Sequence, residues 1–138
     1  MSLPRRSVGR ELADRVGDLL GRDHEPVLED VVVGHAGDGI DVEVVDLRTL
    51  RPLDRETVLD SVRKTGKCLI VYEDNKFGGY GAEVAAIVAE EAFDYLDGPV
   101  TRIAGPEVPG VPYNHVLEDW FMVNPEKIAE GIRTLAAY

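Results

Sequence analysis

The stretch KCLIVYE (67–73) constrains this chain more than any other. It is a continuous apolar run bounded by polar turns. That pattern suits a strand covered on both faces, as the strands of parallel sheets are. Strand and helix patterns alternate around it. LEDVVVG (28–34) reads as a short strand, AGDG (36–39) as a turn, and IDVEVVDL (40–47) as a strand rich in β-branched residues. A helix follows over 55–65, with Asp54 as N-cap, Val58, Leu59 and Val62 as its apolar stripe, and Gly66 closing it. A Gly-rich loop leads into a helix over 80–95, with Val84, Ile87, Val88 and Phe93 expected to face inward. GPVTRIAG (98–105) is the next strand. Pro106, Pro109 and Pro112 exclude a central strand or helix and predict an ordered surface loop that also carries His115. Asn124, Pro125 and Glu126 open the last helix as N-cap, first-position proline and first-turn acid, with Ile128, Ile132 and Leu135 as its stripe. Near the start, Leu12, Val16, Leu19 and Leu20 stand at helical spacing over 8–21, with Gly21 as a stop. This order of elements predicts an α/β fold of three layers: a largely parallel sheet with helices on both faces and right-handed crossovers.

A chain of 138 residues is long enough for a core without staples. No apolar run approaches the roughly 18–20 residues that span a bilayer, so no membrane is expected. MSLPRRSVGRE has two arginines but no apolar region after them, so no secretory signal is expected either. A lone cysteine, Cys68, cannot form an internal disulfide, and the expected compartment is the cytoplasm. Its apolar neighbours point to a buried strand thiol, since the local sequence supplies neither base nor exposure for a catalytic thiolate. The net charge of −11 excludes nucleic acid as a partner. It suits either a solvated surface without a partner or the approach of a basic protein.

Few residues invite chemistry. Gly78, Gly79 and Gly81, in GGYG between a strand and a helix, are a candidate anion loop, with close helix–strand packing as the alternative. The loop lacks the pattern of a dinucleotide site. His24, His35 and His115 have no metal-ligand spacing, and one cysteine cannot complete a zinc site. No Gly-x-Ser-x-Gly elbow is present. No catalytic, cofactor-binding or metal residue is therefore assigned.

The segments DLRTLRPLD (46–54), KTGK (64–67), YEDNKFGGYGAE (72–83), GPVTRIAGPEVPGVPYNHVLEDWF (98–121) and NPEKI (124–128) appear in that order. Together they resemble the C-terminal domain of the beta subunit of thiamine-dependent 2-oxoacid dehydrogenases of the pyruvate and branched-chain type, within the transketolase C-terminal domain group. The resemblance covers 39–138 and implies a transketolase C-terminal-like fold there. Residues 1–38 depart from it, because AGDG is too short for the crossover helix the family has at that point. A divergent N-terminus, a junction with unrelated sequence, or a rearranged helix at 8–21 would each account for the departure. Gly37-Asp38-Gly39 is similar to the start of the thiamine diphosphate–magnesium motif, but the asparagines that should follow are missing, which leaves a tight turn.

The resemblance implies a part of an oxidoreductase, inactive in isolation. Thiamine diphosphate and magnesium belong to the parent enzyme, which decarboxylates a 2-oxoacid and passes the acyl group to lipoamide. This domain's role there is assembly: packing about a two-fold axis with the alpha subunit, and docking the small basic subunit-binding domain of the acyltransferase. The family's docking residues match Asp97, in YLDGP, and the carboxylate of Tyr138. Asp97 reads equally well as an ordinary turn residue. Trp120, Phe121 and Met122, in VLEDWFMV, are interface-type residues expected to support self-association, with some of that stretch turned into the core. The alternative function is a stand-alone module binding a small anion or regulatory ligand at the strand C-termini.

Overall fold

The computed structural model describes residues 30–34, 40 and 42–138. The described elements are β1 (Asp30–Gly34), β2 (Val42–Asp46), α1 (Arg55–Thr65), β3 (Leu69–Asn75), α2 (Gly81–Glu91), a 3-10 turn (Phe93–Tyr95), β4 (Thr101–Gly105), α3 (His115–Phe121) and α4 (Pro125–Ala136). The expected helix over 8–21, the Gly37–Gly39 turn, His24 and His35 lie outside the described residues.

The strands form one sheet in the order β2-β1-β3-β4. β3 and β4 pair in parallel, with Ile70 opposite Arg102. β1 is antiparallel to both neighbours, with Val32 opposite Val44 of β2 and opposite Leu69 of β3. The pairing is therefore mixed: β2, β3 and β4 run one way and β1 runs against them. The cause is the short connection after Gly34, which can reverse the chain but cannot carry it across the sheet.

The run around β3 is buried on both faces, as its composition requires. Cys68, Ile70 and Tyr72 face α1 and α2, in a cluster with Val58, Leu59, Val62, Val84, Ile87 and Val88. Leu69 and Val71 face the other way, onto Ile128, Ile132 and Leu135 of α4. The period-two alternation of one strand thus feeds two cores, and the three layers follow from it.

Local signals set the helix ends. Asp54 Oδ1 accepts from the Thr57 amide at 3.2 Å and Oδ2 from the Thr57 hydroxyl at 2.7 Å, which starts α1. Gly66 ends it in the left-handed region, at φ 72°. Asn124 Oδ1 accepts from the Lys127 amide at 2.9 Å and starts α4, with Pro125 as the first helical residue.

Two expectations need correction. α2 ends at Glu91, and Phe93 opens the 3-10 turn with 69% of its surface exposed. The buried row steps by four through Val84 and Val88 to Ala92, so the helical period brings Ala92 inward where Phe93 was expected. The stretch after Pro112 is not all loop. Asn114 Oδ1 accepts from the Val116 amide at 3.0 Å and starts α3, which carries His115.

Candidate docking site

The turn that leads into β4 crosses directly above the junction of α1 and β3. The Asp97 amide donates to the Gly66 carbonyl at 2.7 Å. Lys67 Nζ donates to the Asp97 carbonyl at 3.4 Å. Two adjacent residues of one junction thus hold both main-chain polar groups of Asp97. A side chain on Gly66 would have its Cβ 3.1 Å from Asp97 Cγ, so the Asp97 side chain lies over this glycine. Gly66 is consequently required twice, for its positive φ and for the space above it.

The C-terminus of α4 completes the site. A Cβ on Gly98 would lie 3.1 Å from Tyr138 Cβ and 3.6 Å from Lys67 Nζ. Asp97 and Tyr138, which the sequence separates by a strand and two helices, therefore stand side by side. Both are exposed, Tyr138 at 71%. Lys67 beneath them is only 7% exposed. The result is a rim, formed by Asp97 and Tyr138, over a buried cation. An exposed carboxylate so placed can receive a guanidinium through paired, charge-assisted hydrogen bonds. Gly66, Lys67 and Gly98 were missed as members of this site. The local chemistry of KTGK shows only a helix stop at Gly66, because the turn that it touches comes some thirty residues later in the chain.

The other candidate residues fall elsewhere. Gly78 has φ 78° and nothing within 4 Å of its Cβ position, so it serves the turn alone. Gly79 and Gly81 lie against the Tyr72 ring, which a Cβ on either would enter. Arg102 fixes that corner by donating to the Tyr72 hydroxyl at 3.1 Å and to the Lys76 carbonyl at 2.8 Å. The second and third α2 amides are already engaged, Ala82 with the Gly79 carbonyl at 3.0 Å and Glu83 with that of Tyr80 at 2.8 Å. An open groove of about 800 Å³ runs from this loop to Leu50, with Arg51, Arg55 and Glu83 on its wall. Of its two arginines Arg55 is paired with Glu91, and Glu83 sets an opposing charge against Arg51.

Of the three interface candidates, Trp120 is 55% exposed and Met122 half-buried. Phe121 is corrected: it is 5% exposed and turns under Gly105 into the core, so it cannot meet a partner. Val116 and Leu117 join Trp120 on the exposed side of α3. Lys127 Nζ donates to the Trp120 and Met122 carbonyls at 2.6 and 2.5 Å and ties the end of α3 to α4. His115 is exposed, with Nδ1 3.6 Å from Glu118 Oε2. Burial pushes the Cys68 thiol up to about 12, which leaves it unreactive at neutral pH. Among the described residues no cluster of His, Cys, Asp and Glu could hold a metal ion, and no helix is long and apolar enough to cross a membrane.

Comparison with known proteins agrees with this architecture. The family described as "Transketolase, C-terminal domain" matches residues 26–128. The 2-oxoisovalerate dehydrogenase subunit beta of Bacillus subtilis (strain 168) is 48% identical over 101 residues, which cover 73% of this chain and 31% of that protein. The pyruvate dehydrogenase E1 component subunit beta of Rickettsia conorii is 43% identical over 101 residues, with the same coverage. Its mitochondrial counterpart from Dictyostelium discoideum is 45% identical over 98 residues, 71% of this chain and 27% of the relative. The chain thus spans about a third of the length of the curated relatives it matches. A sheet sandwiched between α1–α2 and α4, and a family match that runs through every element from β1 into α4, identify the chain as a member of the transketolase C-terminal domain family.

Proposed function

We propose that this chain is the assembly domain of the beta subunit of a 2-oxoacid dehydrogenase decarboxylating component, and that Asp97 and the Tyr138 carboxylate dock a basic partner domain. The observation that carries the proposal is the convergence of Asp97 and Tyr138 on one exposed rim, in a chain whose relatives are named as beta subunits of pyruvate and 2-oxoisovalerate dehydrogenases. The partner is the small basic subunit-binding domain of the lipoyl acyltransferase. The net charge of −11 favours its approach. The alpha subunit and a second beta subunit are the other neighbours, with the exposed side of α3 around Trp120 as a contact.

The reaction assigned to the parent enzyme is thiamine-dependent oxidative decarboxylation of a 2-oxoacid, with acyl transfer to lipoamide. The described residues supply no ligand set for magnesium, and no step of that reaction is placed on them. The proposal assigns thiamine diphosphate and magnesium to other parts of the parent enzyme. A reducing compartment suits the buried free thiol, and the cytoplasm is the proposed location. The reading as a stand-alone anion-binding module is not favoured, because packing against Tyr72 accounts for Gly79 and Gly81.

The test is a calorimetric titration of a subunit-binding domain into the wild-type chain, an Asp97→Asn variant and a chain extended beyond Tyr138. Weaker binding in both altered chains is expected, by about 2–5 kcal/mol if the pair is desolvated on docking. Equal affinity for all three chains would remove the docking role from these groups.

A further inference from the structure

Lys67 is a buried cation with little to hold. Only 7% of its surface is exposed, and its ammonium makes one long hydrogen bond, 3.4 Å, to the Asp97 carbonyl. An ammonium carries three donors, and the hydrogen bond to the Asp97 carbonyl uses one of them. Its polar contact is with the turn above it.

Its direction is informative. The ammonium meets the main chain of Asp97, and no cation among the described residues is paired with the Asp97 carboxylate. Together with the bond from the Asp97 amide to Gly66, the contact fixes the peptide on both sides of this residue while its carboxylate stays exposed. The same ammonium lies 3.6 Å from the Cβ position of Gly98, which in turn abuts Tyr138. One buried charge thus lies beneath the Asp97 turn and beside the contact between Gly98 and Tyr138.

We propose that Lys67 is a positioning residue of the docking site, which holds the Asp97 turn against the end of α4 so that the Asp97 carboxylate is presented to an incoming guanidinium. The inference rests on the docking reading above and adds to it a residue that never touches the partner. Gly66 acts with it, since any larger residue there would displace the Asp97 side chain.

The experiment is a double-mutant cycle on the whole chain, read by titration with a basic subunit-binding domain and by thermal melting. Lys67→Met keeps the aliphatic stem and removes the charge, and Lys67→Gln keeps a donor and carries the cycle if the Met variant does not fold. Each is combined with Asp97→Asn. Removal of the charge should weaken docking about tenfold in the wild-type background and leave affinity unchanged once Asp97 is Asn. A loss merely structural in origin would be the same in both backgrounds, and that result overturns the proposal, as does full affinity in a folded Lys67 variant. If Asp97→Asn alone binds like wild type, the docking reading falls first and this inference with it.

Discussion

The Tyr72 ring occupies the space that a side chain on Gly81 would need, and it also lies under Gly79. This contact lets α2 start directly against β3. Gly81→Ala should therefore force the ring or the helix to move. Overpacking of this kind costs about 1–3 kcal/mol. Urea denaturation should show a lower midpoint with unchanged slope, and a Gly78→Ala variant should suffer only from its positive φ. An unchanged midpoint in Gly81→Ala would show that the ring does not hold this place.

Cys68 sits between α1–α2 and the sheet, and burial raises its thiol to about 12 from a usual value of 9.0. The unfolded chain therefore gives up this proton first as pH rises. Stability from the protonated thiol is complete below about pH 9 and declines as pH climbs from there toward 12. Thiol reagents at pH 8 should label the native chain only at its rate of opening. Labelling as fast as that of a free thiol would place Cys68 at the surface.

α4 closes the second core through Ile128 and carries Tyr138 to Gly98. Ile128→Ala should destabilise by about 2–5 kcal/mol, because the residue is fully buried. Asn124→Ala removes the cap bond to Lys127 and should cost about 1 kcal/mol. Equilibrium unfolding ranks the two, and the reverse order would contradict the packing described here.

The exposed side of α3 offers Val116, Leu117 and Trp120 together. A contiguous apolar patch of this kind suits self-association better than a monomer. Sedimentation should give a dimer for the wild type and a shift toward monomer for Trp120→Ser. A wild-type chain that sediments at 15.1 kDa at the same concentration would count against this interface.

Signals confined to a few neighbouring residues were the legible ones. Asp54, Gly66 and Asn124 announced their helix ends because capping is local chemistry. KCLIVYE announced a strand buried on both sides because composition alone demands it. Ala92 was hidden by its size, since its neighbour Phe93 is larger and more apolar and only the packed helical row decides between them. α3 was hidden by the prolines before it, although Asn114 was a readable cap. The reversed β1 followed from a short connection, but its place between β2 and β3 depends on pairing far along the chain. Lys67 was illegible as a site residue for the same reason: its partner turn lies beyond a strand and a helix. Asp97 and Tyr138 could be named only through family resemblance, because nothing local distinguishes them from a turn residue and a chain end.

The most direct measurement is a nuclear magnetic resonance titration of the isotope-labelled chain with a basic subunit-binding domain. The predicted result is that the largest amide shifts fall on Gly66, Lys67, Asp97, Gly98 and Tyr138, and that they vanish for Asp97→Asn. Shifts centred on Gly78–Gly81 or on α3, with the Asp97 turn unmoved, would contradict the account.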